Sequence, residues 1–354
     1  MNDASDSPAT RKHLTLYVPG LFAASHGGEW AAGSFRALET MLARSERRES
    51  VSPPGYEEGL FALFDLQSEK ETDLPVAAVT RMTDMGVIDN DWWLRADPVH
   101  LALERDRLVL ADAQRLDISP EEAHRLVAEI MEVFTADGWL LKAPCPERWY
   151  LKPPRTPEMI TTSLTQVVGR DVHPFLPRGP DGKTWHTTLN EIQILLHATT
   201  VNSEREQQGK APINSLWFWG GGRLPRIRPV SWTRVWSNEP VSLSLAKLSG
   251  TPCGDAAAGF EDWHGQVDEP GEYLVVLDEA YGATLYNDAP QWVDILNRWE
   301  KIWMTPLLQA LKSGSIASVN LLTDRGDRFS LSTQQARRWW RIRRPLGTYG
   351  EVRN

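Results

Sequence analysis

From residue 13 the chain reads HLTLYVPGLF, alternating apolar and polar positions until Pro19-Gly20 ends the run, which marks a strand leaving into a loop. In GSFRALETMLARSE, Phe35, Leu38, Met41 and Leu42 fall at helical spacing, and EEGLFALFDL reads as a short apolar helix. The clearest helix lies in DISPEEAHRLVAEIMEVFTADGW. Ser119 stands at the N-cap, Pro120 at the first turn, Glu122 at the reciprocal capping position, and Gly138 at the stop. RWYLKPP reads as a strand ended by proline, and 153–185, rich in proline and turn residues, as a crossing between lobes. TLNEIQILLHATTVNSEREQ reads as a second helix. EYLVVLDEAYG and IASVNLLTDRG are apolar runs ending in acidic turns, the pattern of buried parallel strands whose C-terminal ends carry loops. WVDILNRWEKIWMTPLLQAL, between them, is a long amphipathic helix, and strand–helix–strand in that order predicts an α/β fold.

Composition narrows the class. At 354 residues the chain exceeds one minimal domain, so a core with a second lobe is expected. Hydrophobic content of 41% and charged content of 24% are those of a globular protein. A net charge of −9 argues against a general nucleic-acid-binding surface. No apolar run approaches the roughly 20 residues of a membrane span, and MNDASDSPATRKH has no signal-peptide character. A cytoplasmic protein with no membrane partner is expected. Cys145 and Cys253 make neither a disulfide framework nor a metal-ligand set. The 16 tryptophans point to wide aromatic surfaces.

The run VNSEREQQGKAPINSLWFWGGG (201–222) sets Asn202 and Arg205 on one helical face and Asn214 at the foot of an aromatic strand. With Gly209, Lys210, Pro212, Trp217, Trp219, Gly220 and Gly222, it resembles a segment of the archaeal-type cofactor-independent phosphoglycerate mutases of the alkaline-phosphatase superfamily. LADAQRLDISPEEAHRLVAEI, through Asp112, Ile118, Ser119, Glu122 and Ala123, and WWLRADPVHL, through Arg95, resemble two further segments. The chain is also similar to a bacterial phosphoglycerate mutase-like, or RpfE-type regulatory, family. The resemblance covers nearly the whole chain. It implies an α/β fold with an alkaline-phosphatase-like parallel-sheet core over 1–96 and 175–354, and a smaller inserted α/β lobe over 97–174.

That family's chemistry uses two divalent metals held by Asp and His, and a Ser or Thr nucleophile. The resemblance places Pro19 at the first metal-binding Asp and Tyr56 at the nucleophile. Tyr281 and Leu285 stand at the Asp-x-x-x-His pair. Asp324 is kept but Arg325 takes the following His, and Gln334 or Gln335 falls near the distal His. A pseudoenzyme is therefore expected, with no catalytic residue, no metal and no cofactor. The alternative is an active mutase or phosphatase with relocated ligands among Asp278, Glu279, Asp288 and Asp324.

The substrate-binding half of the pattern is better kept. Arg95, Asn202, Arg205, Lys210 and Asn214 are candidate ligands for a small phosphorylated or carboxylated metabolite, Arg binding bidentately. The competing reading is a structural network tying the VNSER helix to the NSLWFW strand. A regulatory role through such a ligand or a protein partner is the resulting expectation. Three smaller signals remain. The GGG run is a weak phosphate cradle, and His173 and His186 a weak metal pair. ARRWWRIRRP (336–345) reads as a terminal strand whose tryptophans pack on the core under arginine stems, or as a patch for nucleic acid or an acidic partner.

Overall fold

The structure, a computed structural model, describes residues 11–22, 35–49, 54–67 and 71–350, so most of the opening MNDASDSPATRKH segment lies outside the described residues. Two compact units form, Met1–Leu66 with Ile227–Asn354, and Gln67–Arg226. The larger unit begins with β1 (Lys12–Tyr17), α1 (Arg36–Arg44), β2 (Glu46–Glu49) and α2 (Tyr56–Ala62). The smaller unit follows with α3 (Val76–Met85), β3 (Trp93–Glu104), β4 (Arg107–Ala111), α4 (Pro120–Phe134), β5 (Leu140–Cys145) and β6 (Arg148–Lys152). It continues through α5 (Leu164–Val167), α6 (Gly182–His197), α7 (Thr200–Gln207) and β7 (Ser215–Gly222). The chain then returns to the larger unit with β8 (Trp232–Trp236), α8 (Pro240–Leu248), β9 (Cys253–Gly254), α9 (Phe260–Gly265) and β10 (Gly271–Val276). It closes with α10 (Glu279–Leu285), α11 (Ala289–Trp299), α12 (Thr305–Ser313), β11 (Ser318–Leu322), β12 (Asp327–Ser332) and α13 (Thr333–Ala336).

In the larger unit the strand order is β2-β12-β11-β1-β10-β8-β9. β11, β1, β10, β8 and β9 run parallel, and β12 is antiparallel to both β11 and β2. Leu14, Leu16, Val275, Val319 and Leu321 of the sheet pack with Leu38 and Met41 of α1, Leu296 and Trp299 of α11, and Leu307 and Leu311 of α12. The α/β class with a parallel-rich sheet is as expected. The long amphipathic helix is less regular than its pattern: α11 and α12 are joined by a π-turn over Glu300–Met304, just before Pro306. A proline there supplies no amide to the preceding turn, and the wider turn accommodates it.

The smaller unit is antiparallel, with β3 at its centre flanked by β4, β6 and β7. It is wider than the expected 97–174 lobe. Pairing of β3 with β7, over Trp93–Val99 and Ser215–Gly222, draws the polypeptide on both sides of that range into one sheet. The α4 cap is as read: Ser119 accepts from the Glu122 amide, and Glu122 accepts from the Ser119 amide. The second long helix is instead broken into α6 and α7, because the Thr199 hydroxyl accepts from the Asn202 amide and starts a new helix.

A third difference lies at 336–345, which is not a strand. Trp339 and Trp340 are 80% and 60% exposed, so the expectation that they pack on the core is overturned. Among the described residues, no helix is long and apolar enough to cross a membrane.

Candidate functional site

The parallel strands of the larger unit all release their chains at one edge, where ligands of open α/β sheets bind. Tyr17, the last residue of β1, donates its hydroxyl to the Tyr56 carbonyl at 2.9 Å. Gly59 of α2 makes room for it, since a Cβ there would stand 2.3 Å from that hydroxyl. Tyr56 opens α2 and stacks on Tyr281 of α10, centroids 4.5 Å apart and planes 19° from parallel. Its hydroxyl donates to Asp278 Oδ2 at 3.2 Å. The backbone of α10 lies against the Pro19-Gly20 turn. Gly20 has φ of 73°, and a Cβ on it would come within 2.8 Å of the Tyr281 Cα, so no larger residue fits.

The Gly20 amide donates to Asp324 Oδ1 at 2.9 Å, and the Asp324 carbonyl accepts from the Gly55 amide at 2.7 Å. Pro19, Tyr56, Tyr281 and Asp324 are thus gathered around one turn. Arg325 points elsewhere, donating to the Phe22 and Gly350 carbonyls. Leu285 ends α10 and, like Pro19, offers no ligand atom on its side chain.

Glu239 belongs to the same edge and does not stand out in the sequence, although Asn-Glu-Pro before VSLSLAKL is a helix-start signal. It is the N-cap of α8. Its amide donates to Ser237 Oγ at 2.9 Å, and its two carboxyl oxygens accept from the Val241 and Ser242 amides at 2.9 and 2.6 Å. Burial pushes the Glu239 carboxyl up to about 7, against the pull of those amides and with the Asp278 charge adding to the rise. Burial likewise raises Asp278 and Asp324, and holds the Tyr17 and Tyr56 hydroxyls well above the usual range.

These donors do not fit a two-metal centre. Both Glu239 oxygens serve α8, Asp278 accepts from Tyr56, and Asp324 accepts from Gly20. The other relocated candidates do not join them. Glu279 pairs with Arg298, and Asp288 caps α11 by accepting from the Gln291 amide at 3.1 Å. His173 pairs with Asp171 at 2.8 Å, whereas His186 contacts the Pro177 carbonyl. Among the described residues, no group of three or more His, Cys, Asp or Glu could hold an ion.

The five candidate ligands for an anion are placed in the smaller unit with their polar heads on protein groups, and they do not converge. Arg95 pairs with Asp97 at 2.8 Å and lies over the rings of Tyr150 and Trp219. Asn202 donates to the Leu196 and Ile213 carbonyls at 2.7 and 2.9 Å and accepts from the Ile213 amide at 2.8 Å. Arg205 donates to the Ala211 and Leu116 carbonyls and to Glu122 Oε1. Lys210 pairs with exposed Asp117, while Asn214 exchanges two hydrogen bonds with the backbone of Leu101.

The geometry therefore favours the structural network over a shared anion pocket. Asn202→Ala, which strands buried backbone groups of Leu196 and Ile213, should lower stability by about 2 kcal/mol in urea titration. A change below a few tenths would remove Asn202 from the network. The GGG run ends β7, where a Cβ on Gly221 or Gly222 would meet Trp92 at 2.4 Å or Pro75 at 2.5 Å. It serves close packing rather than a phosphate.

No family model matches the chain. A stretch of 61 residues is 35% identical to the 2,3-bisphosphoglycerate-independent phosphoglycerate mutase of Methanosarcina mazei, covering 17% of this chain and 15% of that protein. Another, of 179 residues, is 26% identical to the probable enzyme of that name in Geobacter sulfurreducens, covering 49% of this chain and 44% of that one. The matched stretches thus span less than half the length of these relatives. A solved Pyrococcus horikoshii protein shares the fold at a TM-score of 0.54 and 12% identity, over 91% of this chain and 86% of that one. The chain is related to the cofactor-independent phosphoglycerate mutases.

Proposed function

We propose that this chain is a non-catalytic relative of the phosphoglycerate mutases, acting in regulation through binding rather than phosphoryl transfer. The carrying observation is the stack of Tyr56 on Tyr281 at the strand-end edge. By the resemblance, these rings stand where the nucleophile and a metal ligand belong. A phenol hydrogen-bonded to a buried carboxyl, and raised well above its usual range, is a poor nucleophile. Among the described residues neither a two-metal ligand set nor an activated nucleophile stands at this edge, and those are the main sources of rate enhancement for this reaction. The full engagement of Arg95, Asn202 and Arg205 favours a protein or surface partner over a small anion as the thing bound.

The test is an assay of the purified chain with 3-phosphoglycerate and added manganese or zinc, together with native mass spectrometry. The expected result is no 2-phosphoglycerate above a catalyst-free control, and no two-ion load per chain. Interconversion above that control would overturn the reading.

A further inference from the structure

The exposed loop that follows α13 has a composition unlike the rest of this acidic chain. Its course is fixed at both ends. Ala336 is buried in the core of the larger unit, and Arg337 donates twice to the Lys312 carbonyl, at 3.0 and 2.8 Å. At the far end Leu346 returns to the same core, its amide donating to Glu39 Oε1 at 3.2 Å. Between these anchors the chain turns outward, with the Arg341 amide on the Arg338 carbonyl. The outward segment carries Trp339, Trp340 and Ile342 at 80%, 60% and 84% exposure. Among the described residues, nine large hydrophobic side chains are exposed, and these are three of them. Arg338, Arg341, Arg343 and Arg344 are interleaved with them, and among the described residues only Arg343 approaches a carboxylate, Glu39 at 3.7 Å.

We propose that this loop docks on an anionic lipid bilayer surface. Tryptophan seeks the boundary between headgroups and acyl chains, where an amphipathic ring is wet on one side and apolar on the other. Arginines beside it are drawn to acidic headgroups, and an isoleucine at the tip gains by leaving water. The bilayer accepts an outward-pointing tip of any shape, whereas an acidic protein would need a matching pocket for each ring. Single-stranded nucleic acid is disfavoured by the rings themselves. They meet edge to face at 87°, which gives no parallel faces for successive bases, and Ile342 would remain in water. The net charge of −9 repels the body of the chain from the same surface and so presents the loop to it. The expectation of no membrane partner rested on the lack of a spanning run, which a surface loop does not require. The inference is independent of whether the strand-end site is catalytic.

The test is co-sedimentation of the whole chain with unilamellar vesicles, either of phosphatidylcholine alone or of an equimolar mixture with phosphatidylglycerol. Binding to the mixed vesicles only, weakened by salt, is expected. Trp339→Ala with Trp340→Ala, and separately Arg341→Gln with Arg344→Gln, should each lower the partition at least about tenfold. The melting midpoint should stay unchanged, because these side chains are exposed. Equal binding to both vesicle types, or full binding by the tryptophan variant, would overturn the proposal. So would wild-type binding to polyglutamate or to a single-stranded oligonucleotide without binding to vesicles.

Discussion

Asp97→Ala should lower the stability of the chain by about 3–5 kcal/mol, the largest single-residue effect expected here. Asp97 is fully buried in β3 and takes three hydrogen bonds and a second ion-pair contact. Its Oδ1 accepts from Arg95 Nε at 2.9 Å and the Trp149 amide at 3.1 Å and lies 2.8 Å from Arg95 Nη2 in an ion pair, and its Oδ2 accepts from Trp219 Nε1 at 2.7 Å. These donors come from β3, β6 and β7, so one carboxylate ties the three strands together. Removing it leaves the Arg95 guanidinium buried between Tyr150 and Trp219 without its counter-charge. The cost comes from that stranded charge rather than from the net strength of the pair. Arg95→Met combined with Asp97→Ala should therefore be less damaging than Asp97→Ala alone. Urea titration of Asp97→Ala, Arg95→Met and the double variant checks this, and a double variant as unstable as the sum of the singles would refute the pairing.

The alternation in HLTLYVPGLF predicts a strand, and the apolar runs EYLVV and IASVNLL predict buried parallel strands; the structure adds that β1 lies between β10 and β11, parallel to both. The α4 cap is legible because all its parts are local: Ser119, Pro120 and Glu122 lie within one turn. What the sequence hides depends on contacts far apart in the chain. The smaller unit is wider than its sequence pattern because the pairing of β3 with β7 joins residues more than a hundred positions apart. Arg95, Asn202 and Arg205 are recognisable as an unusual set, but the partners they take, the Asp97 carboxylate for Arg95 and backbone carbonyls for Asn202 and Arg205, carry no sequence signature. Tyr56 and Tyr281 can be placed at altered positions by resemblance. Their stacking, and the space Gly20 and Gly59 leave for it, requires the folded backbone. Glu239 escapes notice because its helix-start signal is ordinary. Its burial follows from where β8 ends, not from its neighbours in sequence.

That burial leads to the second large effect, a loss of stability as pH rises through neutrality. The Glu239 carboxyl is raised from its ordinary 4.5 to about 7 in the folded chain. Folding therefore favours the protonated form. The stabilisation is complete below about pH 4.5 and is lost as pH rises through 7, where the unfolded chain has already released the proton. At about 1.4 kcal/mol for each pH unit between those two values, the wild type should lose about 3 kcal/mol between pH 4.5 and 8 from this group. Asp278 and Asp324, also raised by burial, act in the same direction. Asp181, held at about 2 by Arg155, contributes with the opposite sign, but its stabilisation is lost only as pH falls from about 3.8 to 2. Its window therefore lies below the one in question. Glu239→Gln keeps one acceptor for the α8 amides and has no proton to release, so its stability should vary much less between pH 5 and 8. Urea titrations of both proteins at those two pH values measure the difference. A wild type equally stable at both, or a slope of undiminished size in Glu239→Gln, would show that Glu239 is ionised in the folded chain throughout.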